Sequence, residues 1–355
     1  MKNKLNVIGI MSGTSLDGLD IAHCEFTQTQ GKWSFNILQA ATIPYSAPIS
    51  RRLKEAANLS SEEIIALDVF YGNHVGKVCT DFLKKHSIKV DFISSHGHTI
   101  FHQPAKGFTY QIGNGNAIHA VTGLPVIYDF RSLDVILGGE GAPLVPVGDK
   151  FLFSDYDVCL NLGGIANLSM DKNTKRIAFD ICFCNMSLNY LMQQKGKAFD
   201  RGGQLASGGE VDKKLLRKLS SVYTPLKKSR PSIGRELFEK KVQPLLDVAD
   251  ISIEDKLATC IESTAMEISE IVKGSKKKNM LCTGGGAYNS YMMSRILHHC
   301  EDEISIIVPE DDIIKFKEAM VFAFLGVLRF NKEINCLSSV TGALRDSSSG
   351  IMVGF

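Results

Sequence analysis

Hydrophobic and polar positions along the chain fall into a strand–helix rhythm that runs twice. Apolar residues alternate or cluster over 6–11, 19–26 and 35–41, which predicts three consecutive strands. A long helix follows. Ser60 and Glu63 form a capping box, and Ile64, Leu67, Tyr71, Val75, Val78 and Phe82 recur at steps of three and four on one face. A strand over 90–95, a short helix over 116–122 stopped by Gly123 and a strand over 125–129 complete the first pattern. The pattern then restarts, with strands over 157–162, 166–170 and 176–180. Helices near 185–194, 212–219, 233–246 and 253–273 lead to a strand over 280–283, a helix over 289–299, a strand over 304–308 and a helix over 317–330.

Three strands followed by helix–strand alternation, repeated at a separation of about 150 residues, predict an α/β chain of two related domains with mixed sheets. The expected division is 1–128, joined by the tail 338–355, and 129–337. Each half opens on a strand, a glycine-bearing turn and a return strand, at residues 8–15 and 160–167. A cleft between such halves is the default ligand site.

Composition narrows the classes. With 44% hydrophobic and 22% charged residues the 355-residue chain has an ordinary globular balance, which excludes disorder or a coiled coil as its main class. A net charge of +2 gives no case for a nucleic-acid partner. No apolar run reaches the ~20 residues of a membrane helix, so no membrane partner is expected. The first apolar stretch breaks at Ser12-Gly13 and reads as a strand, not a signal peptide. A cytoplasmic location is therefore expected, where nine cysteines without framework spacing suit free thiols.

Several chemistries are missing from the sequence. There is no G-x-x-x-x-G-K-[ST] phosphate loop, no G-x-G-x-x-G opening a helix and no G-x-S-x-G elbow. The segment Gly13-Thr14-Ser15-Leu16-Asp17-Gly18-Leu19-Asp20 can offer N–H groups and hydroxyls to phosphate and carboxylates to Mg²⁺, or can be a plain hairpin turn. Gly284-Gly285-Gly286 stands between a strand and a helix, where a ligand could approach the backbone closely. Asp180, at a predicted strand end, is a candidate base, with Asn185 a candidate N-cap after it. His96, His98 and His102 read as polar lining rather than a metal cluster, and Cys182 and Cys184 lack the second pair a zinc site needs. Arg131 and Asp134 belong to a loop rich in glycine and proline that extends to Pro146.

In order along the chain, these segments resemble the anhydro-N-acetylmuramic acid kinase family. The matching motifs are Met11-Ser-Gly-Thr-Ser-Leu-Asp-Gly18, Ser95-His-Gly-His-Thr99, Gln111-Ile-Gly-Asn114, Asp129-Phe-Arg131, Gly141-Ala-Pro-Leu-Val-Pro146 and Asn161-Leu-Gly-Gly-Ile-Ala-Asn167. They continue with Gly234-Arg-Glu-Leu-Phe238, Gly284-Gly-Gly-Ala287, Lys317-Glu-Ala-Met320 and Ser339-Val-Thr-Gly-Ala343. The resemblance implies the fold shared by sugar kinases, Hsp70 and actin: two ribonuclease-H-like domains closing over ATP.

It also implies an enzyme that uses ATP and water to convert 1,6-anhydro-N-acetylmuramic acid to its 6-phosphate in cell-wall recycling. Asp180 would be the base. ATP would meet Gly13, Thr14, Ser15, Leu16, Asp17, Gly18, Leu19, Asp20, Gly163, Gly164, Gly284, Gly285 and Gly286. Asp17 or Asp20 would hold Mg²⁺ through water. Arg131, Asp134, His98 and Asn185 would contact the sugar, and a homodimer is compatible with the resemblance. Two positions depart from the family pattern. Ile181-Cys182-Phe183-Cys184 replaces Thr-Gly-Pro-Gly, and Glu140 replaces Gln. These departures leave open a kinase of another sugar, or a nucleotide-binding protein without turnover.

Overall fold

The computed structural model describes residues 4–13, 16–273, 278–301 and 304–355. They form two compact units. The first is Met1–Phe153 with Phe316–Phe355, and the second is Ser154–Lys315.

In the first unit, β1 (Lys4–Ser12), β2 (Gly18–Thr29) and β3 (Lys32–Pro44) form an antiparallel meander. β4 (Phe92–Gln103) lies parallel to β1, β5 (Phe108–Ile112) turns back along β4, and β6 (Val126–Tyr128) runs parallel to β4. In the second unit, β7 (Val158–Leu162), β8 (Ile165–Lys172) and β9 (Lys175–Phe183) repeat the meander. β10 (Asn279–Thr283) is parallel to β7, and β11 (Ser305–Ile307) is parallel to β10. The last strand, β12 (Ile351–Val353), pairs antiparallel with β6. The orders β3-β2-β1-β4-β6 and β9-β8-β7-β10-β11 match in sequence and sense. The duplication read from the hydrophobic pattern is thus present strand for strand, in an α/β architecture with mixed sheets.

Local chemistry explains the elements. Helix Ser61–Lys85 starts at the expected capping box: the Glu63 amide donates to Ser60 Oγ at 3.4 Å and the Ser60 amide to Glu63 Oε2 at 2.8 Å. Leu67, Tyr71, Val75 and Phe82 are buried on its inner face among Ile8, Ile10, Ile21 and Ile93 of the sheet. Helix Gly115–Thr122 is capped by the Asn114 side chain and stopped by left-handed Gly123.

The boundary between units differs from the expectation. Residues 129–153 and 316–337 belong to the first unit, not the second. The cause is helix Asp311–Phe330, whose apolar residues are consumed by the first sheet. Phe324 packs on Phe26 and Trp33 with ring centroids 5.4 and 5.3 Å apart, and Ser94 Oγ donates to the Phe322 carbonyl at 2.5 Å. Gly9 of β1 lies so close that a β-carbon there would overlap the Ala319 carbonyl oxygen.

The expected helix over 233–246 is present without a gap over 235–247, with a change of pitch inside it. It consists of a turn at Arg235–Leu237, a wider π-helical stretch at Phe238–Val242 and a segment Gln243–Asp247. Pro244 has no N–H to continue a regular ladder. Finally, β9 does not stop at residue 180 but continues to Phe183.

Gly9→Ala tests the helix-on-strand contact. The added methyl must displace main chain, so unfolding free energy in a denaturant titration is expected to fall by about 1–3 kcal/mol, the usual cost of overpacking. An unchanged midpoint would contradict the packing.

Candidate active site

The second unit supplies the candidate base. In the β8–β9 register Asn167 faces Asp180 while Ala166 faces Cys182, so Ile181 is the extra residue of a β-bulge. A bulge bends the strand and re-aims the neighbouring side chain, here that of Asp180. Asp180 Oδ2 accepts from the Ile233 amide at 3.0 Å and from Ser232 Oγ at 3.4 Å. Oδ1 has no hydrogen-bond partner among the described residues. Burial pushes this carboxyl above the usual aspartate range, against the pull of the two donors.

The residues after the bulge turn inward. Ile181, Cys182, Phe183 and Cys184 are each no more than 4% exposed, in a core that includes Tyr223, Phe238, Cys260 and Met292. The departure from Thr-Gly-Pro-Gly is therefore a packing change: bulky groups extend the strand into the core where a glycine loop was expected.

Helix Asn185–Gln193 then begins on the β7–β8 turn. The Asn185 amide donates to the Gly163 carbonyl at 3.1 Å, and the Cys184 and Met186 amides to that of Gly164 at 2.9 and 3.0 Å. Cys184, not Asn185, is the N-cap residue, and it makes no side-chain cap. Asn185 Nδ2 donates to the Leu162 carbonyl at 2.9 Å, which fixes the side chain on the β7–β8 turn. Gly284, at φ +81, packs against the same turn, where a β-carbon would meet Asn161 Oδ1 at 2.5 Å. At Gly164 and Gly285 the nearest atoms would be 3.8 and 3.7 Å away. Internal packing does not demand glycine at those two positions, and their bare backbone fits close approach by a phosphate or nucleoside. Gly163, Gly164, Asn185 and 284–286 are thus brought together.

The first unit carries the other predicted residues. Thr14 and Ser15 lie outside the described residues. Leu16 is left-handed at φ +59, and Asp17 is exposed. The Leu19 side chain is fully buried in the core, so only its main chain borders this turn. Gly18 is required by the neighbouring strand, since a β-carbon would sit 2.7 Å from the Ile43 carbonyl oxygen. Asp20 Oδ1 accepts from Thr42 Oγ1 at 2.5 Å, and burial with nearby Asp17 raises its pKa.

Behind this turn runs a chain of hydroxyls. Ser12 Oγ is 2.9 Å from His98 Nδ1 and 2.6 Å from Tyr45 OH, which is 2.6 Å from Tyr71 OH. Burial lowers the His98 pKa to about 4, so its imidazole is neutral at pH 7. His98 and Leu16 share a pocket of about 250 Å³ with Leu53, Lys54 and Thr99.

Arg131 Nε donates to His96 Nε2 at 2.9 Å and an Nη to the Gly141 carbonyl at 2.7 Å. Burial lowers its pKa to about 10, opposed by Glu318, so it stays a cation at neutral pH. Asp134 is different. It is 1% exposed, and its carboxylate accepts from the Gly141 amide at 2.8 Å, Thr341 Oγ1 at 2.7 Å and Cys336 Sγ at 3.0 Å. Those partners tie the 137–143 loop to the C-terminal segment, so the Asp134 carboxylate already serves the frame of the first unit.

Sequence reasoning missed Ser232, Ile233, Glu318 and the role of His96. Glu318 was visible inside Lys317-Glu-Ala-Met320, and the Pro231-Ser232-Ile233-Gly234 turn was marked by its composition. Among the described residues no group of three or more His, Cys, Asp or Glu is placed to hold a metal ion. No helix among them is long and apolar enough to cross a membrane.

Residues 5–354 match the family model described as anhydro-N-acetylmuramic acid kinase. A protein of that name from Sulfurimonas denitrificans is 33% identical, with 97% of this chain and 98% of that one covered. Another, from Pseudomonas fluorescens, is 34% identical over 95% and 96%. Among solved structures, a ROK hexokinase from Thermus thermophilus matches 91% of this chain and 99% of that one at 14% identity and a TM-score of 0.41, too distant to add weight.

Asp134→Ala should cost roughly 3–5 kcal/mol of unfolding free energy, because it leaves buried donors unpaired. Full stability with only a weaker sugar KM would show Asp134 to be a ligand contact and not part of the frame.

Proposed function

Because the chain belongs to the anhydro-N-acetylmuramic acid kinase family, we propose that Asp180 is the general base of its hydrolytic kinase reaction. The enzyme is an ATP-dependent sugar kinase. 1,6-Anhydro-N-acetylmuramic acid, water and ATP give N-acetylmuramic acid 6-phosphate and ADP.

The observation that carries the assignment is the unequal use of one carboxylate. Oδ2 is held by Ile233 and Ser232, while Oδ1 has no partner among the described residues. Oδ1 accepts a proton from the water whose oxygen bonds to C1 of the sugar. The C1–O6 bond breaks, and O6 takes the γ-phosphoryl group as the bond to ADP breaks. General-base help of this kind contributes about 10²–10⁴-fold. The raised pKa suits the task, since a more basic carboxylate takes the proton more readily.

Arg131 supplies a fixed cation and His98 a neutral imidazole to the sugar. The main chain at 13–18, with Gly163, Gly164 and Gly284–Gly286, binds ATP. Asp17 or Asp20 offers oxygen ligands of the kind Mg²⁺ takes through water, and the ion, when bound, offsets charge on the phosphate oxygens. The sugar is a peptidoglycan fragment, and that chemistry suits a role in cell-wall recycling and amino-sugar catabolism in the ATP-containing cytoplasm. The family departure at 181–184 supports no other sugar, because those side chains face the core.

Asp180→Asn should lower kcat by about 10²-fold or more while ATP affinity holds. Its melting temperature should be equal or higher, since a half-buried charge is removed and Oδ1 of the amide can keep the Ile233 bond. Near-normal turnover would remove Asp180 from the base role. The pH profile adds a second check. Asp180 must be ionised to act, so kcat/KM should rise with pH through a limb above the ordinary aspartate range. Ser232→Ala removes a donor that favours the charged form, so the limb should move to higher pH. A limb unmoved in that variant would contradict the assignment.

A further inference from the structure

We propose that His96 is the positioning residue for Arg131, a neutral imidazole that accepts the guanidinium and fixes where it presents its remaining donors to the sugar. This rests on the reading of Arg131 as a sugar contact.

Both ring nitrogens of His96 are engaged, and the chemistry permits one arrangement. Arg131 Nε can only donate, so His96 Nε2, 2.9 Å away, must be the unprotonated nitrogen. His96 Nδ1 lies 2.9 Å from the Gly97 carbonyl oxygen, an acceptor, so the proton belongs on Nδ1. The ring is held from the side by Phe322, with centroids 4.5 Å apart, and the residue is 4% exposed. An Arg131 Nη reaches the Gly141 carbonyl at 2.7 Å. Two directions of the fork are thereby fixed, and the guanidinium is planar, so the orientation of its remaining N–H groups follows.

A protonated His96 would break this pair, placing two cations in contact. Its surroundings oppose protonation: burial is the main cause, followed by the Arg131 charge, with His98 adding to it, and together they hold the imidazole pKa well below its usual value. The acidic side chains beside Arg131 itself are Glu318 of helix Asp311–Phe330 and Asp134. His96 therefore serves as an acceptor that stays uncharged throughout the working range. Asparagine cannot place its acceptor at the Nε2 position, but the longer glutamine can.

Two readings test this. In ¹⁵N spectra of the ligand-free protein, His96 should be a single Nδ1–H tautomer with bare Nε2 from pH 5 to 9. An Nε2–H tautomer, or protonation within that range, overturns the proposal whatever the substrate is. In steady-state kinetics with 1,6-anhydro-N-acetylmuramic acid, His96→Leu should raise the sugar KM by about 10- to 100-fold, the span of hydrogen bonds to charged groups, with the ATP KM unchanged. His96→Gln should recover most of that loss. Equal impairment of both variants, or equal change in both KM values, would show a merely structural residue and overturn the proposal. A wild-type protein inactive on this sugar, with the tautomer as stated, counts against the functional reading and leaves the positioning geometry standing.

Discussion

The hydrogen bond from the Ile233 amide to Asp180 Oδ2, 3.0 Å long, joins segments 53 positions apart in sequence and sets the chemistry of the second unit. A carboxylate in a partly desolvated place must either take a proton or find donors. Here it finds enough to hold one oxygen and too few to satisfy both. The bulge at Ile181 makes this possible, since it lets Asp180 face the 232–233 turn while the next four residues enter the core. A fully satisfied carboxylate would be more acidic and a poor base. A fully apolar surround would protonate it.

The same economy recurs in the first unit, where Arg131 is spent on one imidazole nitrogen and one carbonyl and retains donors beyond them. The neighbouring Asp134 retains nothing, because its carboxylate serves the loop and the C-terminal segment. Two charged residues three positions apart in one motif thus differ in what they leave over: Arg131 keeps donors that the proposed sugar contact can use, and Asp134 holds the frame. Burial and partner count separate them, which the motif alone does not do.

Much of this was legible in the chain. Strand and helix periodicity predicted both meanders and the long capped helix, because those signals are local: alternation, a capping box at Ser60 and Glu63, a stop at Gly123. What the sequence hid were long-range decisions. Helix Asp311–Phe330 joins the first sheet because Gly9 and Ser94 fit it, and no local pattern states which sheet an apolar helix will cover. The hydrophobic pattern ended this strand at residue 180, and the continuation of β9 through Ile181, Cys182 and Phe183 depends on the bulge opposite β8, which alternation does not register. Leu19, Asn185 and Asp134 were grouped with ligand contacts by their place in motifs, and what each side chain touches within the fold was not legible there.

The central claim is that Asp180 activates a water molecule, so the oxygen of that water must end on the sugar's anomeric carbon. The direct measurement is turnover of 1,6-anhydro-N-acetylmuramic acid with ATP in ¹⁸O-water, with mass spectrometry locating the label before the anomeric hydroxyl exchanges. The account predicts one ¹⁸O at C1 and none in the phosphate of the 6-phosphosugar. Label in the phosphoryl group, or an unlabelled C1, would contradict it.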